Sequence, residues 1–191
     1  MSIHSVLTQP SRRALLVAAG ASSLALVGCG TRPQVVDYAA EKPLFDLKNY
    51  FNGRVDGWGI FTDRAGKVAR RFVVTMNCSW NGEEGILDED FVYSDGKKEK
   101  RIWRMKRMAG SDGVVRYEGR ADDVVGIGTG EQRGNAFRWG YTLALPVDGK
   151  VYEVQFDDWM YQMDDKVVIN KATMSKFGIT LGELVVTFSK R

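Results

Sequence analysis

From residue 53 onward the chain is cut at short, even intervals by residues that favour tight turns. These are Asp63-Arg64-Ala65-Gly66, Asn81-Gly82, Asp95-Gly96, Ser111-Asp112-Gly113, Arg133-Gly134-Asn135, Asp148-Gly149 and Asp164-Asp165. Asn-Gly and Asp-Gly supply the positive φ angles of close hairpins. The runs between them are rich in Val, Thr and aromatics and show no helical period. In Val68–Trp80 the even positions hold Phe72, Val74, Met76, Cys78 and Trp80, opposed by smaller or more polar residues. Phe137, Trp139, Tyr141, Leu143 and Leu145 repeat the pattern, as do Leu184, Val186 and Phe188. A period of two gives each strand one core face. The expected fold is all-β, an antiparallel up-and-down barrel of about nine or ten strands, because closure removes exposed edges.

The N-terminus obeys a different logic. Ser11-Arg12-Arg13 precedes an apolar run, Ala14–Val27, whose last two residues open the segment Leu26-Val27-Gly28-Cys29. A cationic head, a greasy middle and a small-residue cleavage site make a secretory signal. The run has 14 residues, too few for a bilayer-spanning helix, which needs about 20. Cys29 after Leu-Val-Gly resembles the lipobox, in which the thiol takes a diacylglycerol. Residues 1–28 are therefore expected to be a signal peptide, with lipid on Cys29; the other reading is an uncleaved apolar segment with a chance cysteine. Ser11–Leu16 is similar to the twin-arginine motif, although paired arginines also occur in general secretory signals. Gly30, where an aspartate would hold a lipoprotein at the inner membrane, points to outer-membrane anchoring with the domain facing the periplasm. Residues 29–43, with Pro33 and Pro43, read as a tether, and 44–191 as one domain opening with a short helical turn within Leu44–Phe51.

Rare residues exclude chemistry. The only histidine, His4, lies in the signal, which removes Ser-His-Asp catalysis and histidine-ligated zinc from the mature chain. Cys78 is left without a disulfide partner. Arg12 and Arg13 are two of the 27 basic residues, and none of the 24 acids falls in the signal, so the mature net charge is +1. No basic stripe for nucleic acid stands out, and no metal or cofactor is expected.

Two family resemblances follow. Phe45–Gly53, entering a strand that carries Trp58, resembles the start of lipocalin barrels, where a helical turn leads through glycine to a base-plugging tryptophan; here Val55 stands at that tryptophan's place. More broadly, Gly57–Asp63 with Arg70-Arg71-Phe72, Asp158–Tyr161 and Asn170–Gly178 resemble a bacterial lipoprotein family of unknown function. That resemblance implies architecture and location, not chemistry.

The carboxylate runs Glu83-Glu84, Asp88-Glu89-Asp90, Asp122-Asp123, Asp157-Asp158 and Asp164-Asp165 read mainly as turn and solvent-facing residues, since strand neighbours point to opposite faces. Asp158 stands apart, because a β-bulge at Asp157-Asp158 would re-aim it. Gly126-Ile127-Gly128-Thr129-Gly130 lacks the Lys-Ser/Thr of a phosphate loop. Lys97–Arg107, seven basic residues around Trp103, reads as a solvated hairpin. Arg70 shares the face of Phe72 and Val74 and must meet an acid, a ring, water or a ligand. Inward arginines grip the carboxylate in intracellular lipid-binding barrels. Arg71 inherits that role if the face is inverted, because simple pairing across the first hairpin sets Trp58 opposite Arg71. Trp58, Trp139 and Tyr141 would line the wall.

The expected function is non-catalytic: binding a lipid-like or amphipathic ligand, or envelope maintenance through protein partners. The alternatives are a carboxylate- or tyrosine-based hydrolase of envelope polymers and a filled, purely structural barrel.

Overall fold

The computed structural model describes residues 32–108, 110, 112–147 and 149–191. Residues 1–28, expected to be a signal peptide, and Cys29 lie outside the described residues. Gln34–Arg191 form one compact unit.

Ten antiparallel strands make that unit: β1 Gly53–Asp63, β2 Val68–Asn81, β3 Glu84–Tyr93, β4 Lys98–Met108, β5 Val115–Arg120, β6 Val124–Arg133, β7 Ala136–Val147, β8 Lys150–Gln162, β9 Val167–Lys176 and β10 Ile179–Lys190. Each pairs with its neighbours in sequence, and β10 returns to β1, so the barrel is closed. The apolar members of the alternating rows face inward. Phe72, Val74, Met76 and Cys78 from β2 are buried with Phe137 and Trp139 from β7 and Val186 and Phe188 from β10. Burying a large apolar side chain gives about 1.5–3 kcal/mol, which makes the lumen the main source of stability.

One end is plugged by the N-terminal segment. Helix α1, Leu47–Tyr50, is capped by Asp46, which accepts from the Asn49 amide. Phe45, Leu47, Tyr50 and Phe51 are buried there. Polar contacts fix the plug: Leu47 N–H donates to Gln132 Oε1 at 3.0 Å, Trp80 Nε1 donates to the Phe51 carbonyl at 2.7 Å, and Phe45 N–H donates to the Gly134 carbonyl at 2.8 Å. Upstream, a 3₁₀ turn at Val35–Tyr38 buries Val35 and sets Tyr38 against Trp159 and Tyr161, with centroids 5.7 and 5.3 Å away. The segment expected to be tether thus belongs, from Gln34, to the barrel unit. The base is filled by this plug and not by a lipocalin-type tryptophan: Val55 is fully buried, while Trp58 is 52 % exposed.

The glycine-rich stretch of β6 has a packing role. A Cβ on Gly128 would sit 2.6 Å from Trp139 Cζ2, and one on Gly130 2.5 Å from Phe137 Cζ. Two aromatic rings of β7 therefore lie flat against a bare backbone.

Two registers differ from expectation, and one turn falls outside those named from the sequence. Between Phe61 and Thr62 the β1–β2 ladder shifts, so Trp58 pairs with Val73 and Ile60 with Arg71. The shift leaves Trp58 and Arg71 on the outer face, so the face is not inverted. No bulge occurs at Asp157-Asp158: β7–β8 and β8–β9 pair there without a shift. Asp158 points inward because it continues the row Val154, Phe156, Asp158. Finally, β9 and β10 meet in a two-residue turn, Ile179 pairing with Lys176, with φ of 51° at Phe177 and 77° at Gly178.

A left-handed backbone costs an ordinary residue about 1–2 kcal/mol, and asparagine less. Phe177 is 88 % exposed, so its ring contributes little burial in return. Phe177→Asn is expected to raise the melting temperature by about 1–4 °C, from roughly 0.5–1 kcal/mol at about 2–4 °C per kcal/mol. A thermal melt reads this; a lower midpoint would mean that the ring holds a contact the turn geometry does not reveal.

Candidate functional site

The lumen is not filled. It encloses a cavity of about 630 Å³ walled by Phe72, Met76, Trp103, Trp139, Phe156 and Phe188 among others, within the usual ~300–1,000 Å³ of small-molecule sites. The cavity runs from the plug to the opposite end, where Lys97, Leu145 and Val147 line it. That end carries the β1–β2, β3–β4, β5–β6, β7–β8 and β9–β10 turns and has no covering segment among the described residues.

A polar belt crosses this apolar space: Glu89 on β3, Arg101 on β4, Asp123 in the β5–β6 turn, Tyr141 on β7, Asp158 on β8 and Asn170 on β9. Arg101 Nε and Nη2 both donate to Asp123, at 2.9 and 2.8 Å from Oδ2. Asp158 is 4 % exposed. Its Oδ1 accepts from Asn170 Nδ2 at 3.1 Å, and its buried Oδ2 has no hydrogen-bond partner. Glu89 lies directly across the β3–β4 ladder from Arg101 but outside ion-pair distance of it. Strands β3 and β8 are five places apart in the ten-membered ring, so Glu89 and Asp158 face each other from opposite walls.

Burial governs the electrostatics. Desolvation pushes Asp158 up to about 7, against the hydrogen bond from Asn170, the charge of Arg101 and the nearby Tyr141 hydroxyl, which lies short of a formed hydrogen bond to Oδ2. It pushes Glu89 up to about 7 as well, opposed by Arg101 and reinforced by Asp123, Asp158 and Asp88. Tyr141 is held neutral, well above the usual phenol range, first by burial and then by Asp158. Burial outweighs the available stabilisation of charge at both acids. Cys78 is a free buried thiol pushed up to about 12 by its apolar surroundings. Among the described residues no group of three His, Cys, Asp or Glu side chains is placed to hold a metal ion.

The residues singled out in the sequence are divided by the barrel wall. Phe72, Trp139, Tyr141 and Asp158 line the cavity. Arg70 reaches its mouth, but it is already engaged: Nη2 lies 2.8 Å from Asp95 Oδ2, and the guanidinium stacks 3.4 Å over the Tyr93 ring. Trp58 and Arg71 are exposed outside. Glu89, Arg101, Asp123 and Asn170 were not among the candidates. Glu89 and Asp123 belong to acidic runs read as solvent-facing, and Arg101 to a hairpin read as solvated. For three of them the signal is parity: Glu89 shares a row with Leu87 and Phe91, Arg101 with Trp103 and Met105, and Asn170 with Val168 and Ala172; Asp123 lies in a turn and has no such row.

No curated protein matches the chain. The family model described as "Protein of unknown function (DUF3833)" matches residues 23–190, and the chain belongs to that family.

Proposed function

We propose that the barrel is a carrier for an amphipathic, lipid-like ligand, held at the outer membrane by lipid on Cys29 and facing the periplasm. The observation that carries the binding role is the 630 Å³ cavity itself, apolar along its length and polar across its middle. A structural scaffold has no use for such a void, because each unfilled volume forfeits packing energy. A tail among Phe72, Trp103 and Phe156, with a head at the polar belt, would recover it. The anchoring role rests on the signal-like residues 11–29, with their charged head and terminal cysteine.

Native mass spectrometry of the full chain purified from its own envelope tests both parts. The expected spectrum shows an acylated protein beginning at Cys29 and a co-purified amphiphile lost on activation. An unacylated N-terminus rejects the anchor; an empty barrel that takes up no added amphiphile rejects the carrier.

One observation favours a second reading, a carboxylate-based hydrolase: Glu89 and Asp158 oppose each other inside the cavity, both with pKa values near 7, as a general acid–base pair requires. Soluble fragments released from envelope polymers by the wild type, and by neither Glu89→Gln nor Asp158→Asn, would support it.

A further inference from the structure

Every cation that lines the cavity is already matched by a carboxylate. Arg70 pairs with Asp95, Lys97 with Glu99 at 2.5 Å, Lys100 with Asp88 and Asp90 at 2.5 and 3.2 Å, and Arg101 with Asp123 at 2.8 Å. Two lining acids are left over. Asp158 is buried with one oxygen unpartnered, and Glu89 meets positive charge only at longer range. Among the described residues the lumen therefore has no free cation for an anionic head, and an unmatched pair of carboxyls on opposing walls.

The surrounding surfaces suit a positive charge. Tyr141 stacks on Phe156 at 4.9 Å and stands edge-on to Trp103 at 5.2 Å, and Trp103 stands edge-on to Trp139 at 5.4 Å. Ring faces attract cations, more strongly where water is excluded. We infer that the barrel selects amphiphiles with a positively charged, amine-type head, seated between Asp158 and Glu89 with its chain along the aromatic wall. This inference rests on the carrier reading and specifies its ligand class. An ammonium there supplies the missing donor to Asp158 Oδ2 and restores charge balance in a space where an uncompensated carboxylate is costly. An alkyl carboxylate in the same place would add a third negative charge.

The arrangement also sets a pH dependence. The groups facing the two acids are Arg101 and Asp123, closed on each other, the neutral Tyr141 hydroxyl and the Asn170 amide, with Asp88 and Asp157 contributing charge from the neighbouring positions. Of these, Glu89 and Asp158 change charge near neutrality. A permanently cationic head therefore binds better as pH rises from 6 to 8 and both acids ionise.

The test is a titration of the full wild-type chain, at pH 6 and pH 8, with three probes of one chain length: dodecylammonium, dodecanol and dodecanoate, each kept monomeric. Alkylammonium, like lysine with a pKa of about 10.4, stays charged throughout. The expected result is dodecylammonium binding at least tenfold tighter than either other probe at pH 8, with the margin shrinking several-fold at pH 6. In Asp158→Asn/Glu89→Gln the margin should vanish while dodecanol binding is retained, showing an intact cavity. Dodecanol or dodecanoate binding wild type as tightly as dodecylammonium at pH 8 overturns the head-group inference and leaves the carrier standing. Failure of all three probes to bind overturns the carrier and the inference with it.

Discussion

Gly130→Val is expected to be among the most damaging substitutions in the barrel, lowering the melting temperature by roughly 2–12 °C. A Cβ at this position would lie 2.5 Å from Phe137 Cζ and 2.6 Å from Trp139 Cε3, and valine adds two methyls beyond it. Neither ring can retreat easily. Phe137 is 1 % exposed and packs edge-on against Phe45 and Tyr117, at 6.3 and 5.7 Å, so moving it loosens the plug. Trp139 is held edge-on by Trp103. Overpacking a filled site costs about 1–3 kcal/mol, sometimes more, and each kcal/mol is worth about 2–4 °C in a domain of this size. Gly140→Val is the control, because a Cβ there meets no atom closer than 3.9 Å. Equal losses at both positions would mean that strand propensity, not the ring contact, explains the glycines.

That packing role shows what the sequence displays and what it hides. The period of two, the turn residues and the counted runs are local properties, and they suffice for an all-β barrel of about ten strands. Facing is local too, wherever a strand runs without a bulge. Phe72, Trp139 and Tyr141 can be assigned inward from parity, and parity equally marks Glu89, Arg101 and Asn170; Glu89 and Arg101 are masked because acidic and basic runs usually lie in water, and Asn170 because a lone asparagine carries no chemical signature. Two things are not local. A one-residue shift, as at Phe61/Thr62, reverses every face beyond it and placed Trp58 outside. The second is stagger around the ring: β3 and β8 never pair, and the sequence of neither strand reveals that Glu89 and Asp158 lie across the lumen from one another. Arg70 fails for a related reason, since its partner Asp95 belongs to the next hairpin.

Asp158→Asn is expected to stabilise the domain at pH 8 and to change it little at pH 4. In the unfolded chain Asp158 ionises near pH 4; in the fold burial holds it back until about 7. Between those values the native state keeps a proton that the unfolded state has released, so stability falls as pH rises, by about 1.36 kcal/mol per pH unit, and levels off above 7. A displacement of roughly three units amounts to about 4 kcal/mol at pH 8. Asparagine removes the ionisation and keeps the shape, and its carbonyl can still accept from Asn170 Nδ2 in place of Oδ1. Glu89 gains as well, because Asp158 is one of the charges that raise it, although Glu89 retains its own burial and part of the pH slope. The protons belong to the pair, so the net gain at pH 8 is expected at about 2–4 kcal/mol, or roughly 5–15 °C in melting temperature. Denaturant unfolding of wild type and variant at pH 4, 6 and 8 measures it. A variant less stable than wild type at pH 8, or a difference independent of pH, would show that the Asp158 carboxylate is satisfied in the native lumen. A gain that grows with pH would identify a charged site held against the stability of the fold, as a binding group is and a structural one is not.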